Sequence, residues 1–229
     1  MLALLWLLLL LPLIAGLLAE QRVRAEFARF RQVPNRLRVT GAQVARALLD
    51  AQGLQRVRIE MAPGALTDHY DGGAGVLRLS RPVATEASVA ALAIAAHEAS
   101  HAYQDAAGSR AYRIRKAIGE PLATLAPFSW LFFLGGFWFG VPLLMAASIA
   151  YVAGLVAFAL ATLPVELGAS RRALDLVSRS GLTDPAETAG VRSVLRAAAL
   201  TYLAGLLRQV GLFSALILVA EMARQVATG

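Results

Sequence analysis

The sequence holds no cysteine. Disulfides and thiolate metal sites are therefore excluded, and a bound metal would have to be held by His, Asp or Glu. Histidine is also scarce, at three in 229 residues. Charge is absent from Pro121 to Leu163, about 43 residues, a length that suits two membrane crossings rather than one. The net charge of +7 is not accompanied by an aromatic-interleaved basic motif of the nucleic-acid-binding kind, which argues against a nucleic-acid partner.

What remains is strongly apolar. Hydrophobic residues make up 58% of the chain, too many for an ordinary soluble domain and suited to several membrane spans. The basic residues sit beside the apolar runs. Arg22, Arg24, Arg29, Arg31, Arg36 and Arg38 follow the first run, Arg110, Arg113, Arg115 and Lys116 precede the second, and Arg171 and Arg172 follow the third. This asymmetry is that of the positive-inside rule and places those segments in the cytoplasm.

Leu2 to Ala19 is an uncharged run just long enough to cross as a helix. A signal peptide would carry positive charge ahead of the run, whereas here the arginines come after it, as in an uncleaved anchor with its N-terminus outside. Residues 20–118 read as a small α+β portion. A helix is expected from Thr40, an N-cap, through Ala51, with Gly53 ending it. Strands are expected at Gln55–Met61 and Gly75–Ser80, and a long Ala-rich helix from about Glu86 to Ala106. Residues 121–163 form a transmembrane hairpin turning near Gly135, Gly136, Gly140 and Pro142. Two crossings return the chain to the side it left, so residues 165–194 share a compartment with residues 20–118. In the last apolar stretch, 197–222, Arg208 either faces a bundle interior or marks the interface between an amphipathic helix and a short final span.

The chemistry lies in His97-Glu98-Ala99-Ser100-His101, an HExxH in a proline-free helical context. Residues four apart share a helix face, so His97 and His101 can present imidazole nitrogens to one zinc ion. Glu98 is placed to take a proton from the water that zinc activates. Two solvent-facing histidines are the bland alternative, but on a helix so rich in Ala, Val, Leu and Ile the imidazoles need partners. A catalytic zinc needs a third protein ligand. His69 is the only other histidine, and the candidate carboxylates beyond the hairpin are Glu166, Asp175, Asp184 and Glu187, with Glu166 just past the third span.

Several blocks resemble the YugP-like membrane zinc metallopeptidases, a group with gluzincin-like features. They are Leu66-Thr67-Asp68-His69-Tyr70-Asp71, Val76-Leu77-Arg78-Leu79-Ser80, Ala95-Ala96-His97-Glu98 with His101-Ala102 and Gln104-Asp105, and Leu163-Pro164-Val165-Glu166 with Ala169-Ser170-Arg171-Arg172-Ala173-Leu174. The resemblance implies a zinc-dependent endopeptidase in which His97, His101 and Glu166 bind one zinc ion and Glu98 is the catalytic base. Ser100 stands where the family tends to have Gly, and Gly168 where it tends to have Asp. The second departure removes a carboxylate that would orient a ligand.

Of the remaining residues, His69 is either a catalytic group that polarises the scissile carbonyl or part of an ordinary turn between two strands. The strand Gly75–Ser80 either lends its edge to an extended substrate or is purely structural. Arg171 and Arg172 either touch substrate or reach lipid phosphates. Asp105 lies one turn beyond His101, near a ligand or at a solvated helix end.

The expected fold is a mostly α integral membrane protein with about four transmembrane helices and a small α+β, zincin-like catalytic portion. The expected location is the plasma membrane, multi-pass, with the active site facing the cytoplasm. The partners expected are the lipid bilayer and membrane-associated protein or peptide substrates, and no nucleic acid. The alternatives are a catalytically weak zinc-binding chaperone or assembly factor, and a transporter in which Arg208 lines a polar path.

Overall fold

A computed structural model describes residues 2–228. In chain order the elements are α1 (Leu2–Arg31), α2 (Gly41–Ala51), β1 (Arg58–Ala62), β2 (His69–Asp71), β3 (Val76–Ser80), α3 (Arg81–Thr85), α4 (Val89–Ala106), α5 (Arg110–Trp138), α6 (Pro142–Arg179) and α7 (Pro185–Thr228). They form two compact units, one of Met1–Leu18, Arg113–Pro164 and Thr201–Gly229, the other of Ala19–Tyr112 and Val165–Leu200.

The first unit is built from apolar helical segments that satisfy their own backbone polar groups, as a hydrocarbon environment requires. Among the described residues three helices are long and apolar enough to cross a membrane: Leu4–Arg31, Pro142–Arg179 and Pro185–Met222. The fourth crossing expected from the sequence falls on α5, which is not among them. Arg110, Arg113, Arg115 and Lys116 occupy its first two turns and confine its apolar part to residues 121–138. α5 and α6 are joined through Phe139, Gly140 and Val141. Gly140 adopts φ +63°, and the Val141 N–H returns to the Gly136 carbonyl at 2.9 Å. Two side-chain bonds then tie these helices, Ser148 Oγ donating to the Ser129 carbonyl at 2.8 Å and Tyr151 Oη to the Leu122 carbonyl at 3.3 Å. α7 approaches α1 so closely that a Cβ at Gly211 would overlap the Leu8 carbonyl oxygen. Phe133, Val152 and Leu216 make a small core, while Trp138, Phe139 and Leu143 point outward.

The second unit packs α2, α4 and the unit's portions of α6 and α7 around a sheet of order β1-β3-β2. β1 runs parallel to β3, and β2 antiparallel to it. Being central, β3 is buried except at the half-buried Arg78, with Val76, Leu77 and Leu79 wholly inaccessible. Both of its edges are occupied, which favours the structural reading of this strand over the one in which it lends an edge to a substrate. His69 pairs with Arg78, and beyond that point the Asp68 carboxylate accepts the Ser80 N–H at 2.7 Å. β2 itself occupies residues for which a turn was the alternative reading. α2 begins as expected, Thr40 and Gln43 forming a reciprocal capping box. α4 starts later than expected because Ser88 caps it, accepting the Ala91 N–H at 3.1 Å, while Glu86 closes α3 and pairs with Arg31.

Candidate metal centre

α4 exposes little of itself. Ala95, Ala96, Ala99 and Ala102 are buried, and so are His97, Glu98 and His101. An apolar helix that buries two imidazoles one turn apart must supply them with partners. α6 does so. It continues through Pro164 to Arg179, so that Glu166 and Ser170 lie one turn apart on one face, flanked by the buried Val165, Ala169 and Ala173. Glu166 is only 1% exposed.

Three donor atoms converge. His97 Nε2 lies 3.1 Å from Glu166 Oε2, His101 Nε2 lies 3.3 Å from the same oxygen, and the two Nε2 atoms are 3.2 Å apart. His97, His101 and Glu166 form a group able to hold a metal ion. The fit can be tested by geometry: a tetrahedral zinc about 2.0–2.1 Å from each donor requires donor separations of roughly 3.3–3.4 Å. The triangle is within a few tenths of an ångström of that. Two imidazoles and one carboxylate form a donor set known for catalytic zinc, which leaves a fourth position open.

The outer nitrogens fix the tautomers. Gln104 Oε1 faces His101 Nδ1 at 2.9 Å and, being an acceptor, requires that nitrogen to carry the proton. His101 Nε2 is then the lone pair aimed at the centre. The Gln104 amide Nε2 donates to the Val165 carbonyl at 2.8 Å, so this one side chain links the residue beside Glu166 to the ring of His101. His97 Nδ1 lies 3.3 Å from Ser170 Oγ. A Cβ at Gly168 would sit 3.2 Å from Gln104 Nε2. The place where the family tends to carry Asp is therefore next to an amide that already orients a ligand.

Around this core, Asp68 stands close enough to Glu98 for the two carboxylates to repel. Burial, and secondarily that like charge, raise the Asp68 pKa, against the hydrogen bonds from Ser80 that lower it. Tyr70 Oη donates to Asp105 Oδ2 at 3.1 Å, and burial followed by the Asp105 charge raises the phenol's pKa. Asp105 is therefore a partner of β2 and not a solvated helix end. Tyr112 is buried, its ring 6.4 Å from that of His101. Arg172 lies over the ring of Tyr103 and donates to Gln52.

His69 is not brought into the three-donor group. It is exposed on β2, its Nδ1 2.8 Å from the Thr67 carbonyl and its Nε2 3.4 Å from Arg78. Asp175 pairs with Arg179, and Asp184 and Glu187 cap the start of α7, so none of these three competes with Glu166. Ser170, Tyr112 and the bridging role of Gln104 were not anticipated. For Ser170 the available signal was its spacing of four from Glu166.

Residues 5–221 match the family described as "Putative neutral zinc metallopeptidase", and the chain belongs to it. The sequence is also similar to the "Putative membrane protease YugP" of Bacillus subtilis (strain 168). The two are 39% identical over 189 residues, which is 82% of this chain and 84% of that protein. No solved structure matches the chain.

Proposed function

We propose that the protein is a zinc-dependent endopeptidase that hydrolyses peptide bonds close to the cytoplasmic face of the plasma membrane, with membrane-associated proteins or peptides as substrates. The observation that carries this reading is the triangle of His97, His101 and Glu166 donors beside a buried Glu98. Zinc, when bound, supplies Lewis acidity toward a carbonyl and lowers the pKa of a coordinated water. Glu98 takes the proton of the attacking water and delivers it to the leaving amine. Gln104 and Ser170 keep the imidazoles turned so that Nε2 remains the ligand atom.

The membrane-proximal location is supported by the position of Glu166, the first charged residue after the uncharged stretch that begins at Pro121. The cytoplasmic side is supported by the arginines that flank the apolar runs. Four crossings, with α5 as the fourth, return residues 165–194 to the compartment of residues 20–118, as a single site built from both requires. His69 lies outside the metal group, and its edge-strand position suits contact with bound peptide better than contact with the metal.

The test is zinc content of detergent-purified protein, followed by hydrolysis of a quenched fluorescent peptide library. The expected result is one zinc per chain, weakened by Glu166→Ala and lost in the His97→Ala, His101→Ala double variant, with hydrolysis abolished by Glu98→Gln at full zinc loading. A wild type without zinc would sink the proposal. A reporter fused after residue 35 that reads as extracytoplasmic would sink the cytoplasmic assignment alone.

A further inference from the structure

Within the first unit, α5, α6 and α7 line a partly open cavity of about 240 Å³ whose wall is formed by Ser129, Ser148, Tyr151, the exposed Arg208, Gln209 and aliphatic side chains. Arg208 is the sole charge between Ala197 and Ala220. Arg196 lies 12 residues before it and Glu221 13 residues after it. At 1.5 Å per residue these offsets are about 18 and 20 Å, which puts Arg208 near mid-depth of a helix spanning from one to the other. An ionisable side chain at that depth is rare, and pairs with a counter-charge or lines a functional cavity. Among the described residues the cavity wall contains no carboxylate. The Ser148 and Tyr151 hydroxyl protons are already given to backbone carbonyls. Among the described residues, Arg208 and Gln209 thus bring donors to a wall that Val152, Leu155, Leu212 and Leu216 make largely apolar.

We propose that this cavity is a binding site for a carboxylate carried at mid-depth by a transmembrane segment of the substrate, an anchoring site apart from the metal centre. The inference rests on the endopeptidase reading for calling the bound segment a substrate, while the pairing itself is independent of cleavage. Depth selects the occupant: a lipid headgroup stays at the surface, whereas an Asp or Glu within a spanning helix meets Arg208 at its own level. The aliphatic wall accommodates the apolar residues on either side of the acidic one. Segments without such a residue are held less well.

The test measures association without hydrolysis. Full-length protein carrying Glu98→Gln is placed in lipid nanodiscs and titrated with labelled single-span Leu/Ala peptides bearing a central Glu, a central Gln, or a Glu moved to the end of the span. The expected result is at least tenfold tighter association of the central-Glu peptide than of the other two. Arg208→Gln should erase that preference, and Arg208→Lys should keep part of it. Equal association of the three peptides, or a preference that survives Arg208→Gln, would overturn the proposal. So would displacement of the central-Glu peptide by equimolar oleate, which would assign the cavity to a free fatty-acid carboxylate. Since the assay needs neither zinc nor turnover, failure here leaves the metal-centre reading standing, and failure of the zinc measurement leaves this one standing.

Discussion

Replacing Gln104 with Met separates the metal-loaded protein from the metal-free one. Methionine retains the length of the side chain and loses both the acceptor at His101 Nδ1, 2.9 Å away, and the donor to the Val165 carbonyl, 2.8 Å away. In the metal-free protein the cost is escapable, because an imidazole that loses its acceptor at Nδ1 can carry its proton on Nε2 instead. With zinc bound, Nε2 is committed as a lone pair, and Nδ1–H must stay protonated with no acceptor. An unsatisfied buried donor costs about 1–3 kcal/mol. If all of it falls on the loaded state, zinc affinity drops by about 5- to 150-fold, the range in which loss of outer partners of metal-bound histidines falls. The assay is chelator competition for zinc alongside thermal unfolding of the chelator-treated protein. The expected outcome is weaker zinc binding with an unaltered melting temperature of the metal-free form. Gln104→Glu, which restores an acceptor for Nδ1–H, should recover most of the affinity. Affinity within twofold of wild type for Gln104→Met would refute the reasoning, and a fall in metal-free stability would show that Gln104 is a structural strut instead.

Three further substitutions test neighbouring parts of the argument. Gly168→Asp introduces a Cβ 3.2 Å from Gln104 Nε2, a flexible amide that can donate to the new carboxylate, so zinc affinity is expected to stay level or rise a few-fold, and a fall measured by chelator competition would count against the assigned geometry. Asp71 is held at about pKa 2, foremost by its 2.7 Å bond from Arg78 and then by the Ala74 N–H. A depressed carboxylate pKa contributes stability that is present above the unfolded value near 4 and is lost as pH falls through about 2. Asp71→Asn should therefore narrow its melting-temperature deficit from wild type as pH is lowered from 5 to 2. Gly41→Ala puts a Cβ against the Val83 carbonyl oxygen, a backbone atom, so despite the helix propensity gained a net loss of about 1–3 kcal/mol is expected in chemical denaturation.

What could be read from the sequence was what is local. His97 and His101 share a face because they are four apart on one helix, and Thr40 caps α2 because Gln43 stands three residues on. Glu166 was one carboxylate among several until the family resemblance singled it out. Only the packing shows why, since Asp175, Asp184 and Glu187 are each used by a nearby backbone or arginine group. β2 was hard to see because Asp68-His69-Tyr70-Asp71 is polar and its strand state is imposed by pairing with β3. The central position of β3 was equally nonlocal. Its burial on either side of the half-buried Arg78 reflects neighbours on both sides, and an isolated strand pattern does not tell an edge from a centre. Gln104 reaches a carbonyl 61 residues away, and no periodicity in the chain marks that link.

The structure also bears on whether the centre acts or merely binds. A zinc clasp needs three ligands and their orienting partners, and here both imidazoles are held without a carboxylate at position 168. Gly168 therefore gives little support to an inert site. A clasp has no use for Glu98, and Glu98 is costly where it is. Its carboxylate is buried, and Asp68, whose pKa is raised foremost by its own burial and only secondarily by the Glu98 charge, is a like charge nearby. A buried carboxylate beside a half-buried one of like charge destabilises the fold, a cost that proteins carry where activity requires it. Glu98→Gln keeps the shape and removes one of the charges. It should abolish hydrolysis, leave zinc stoichiometry at wild-type level, and raise the melting temperature of the metal-free protein. A variant that lost stability would show that Glu98 belongs to the framework, and one that kept hydrolysing peptides would remove it from the chemistry.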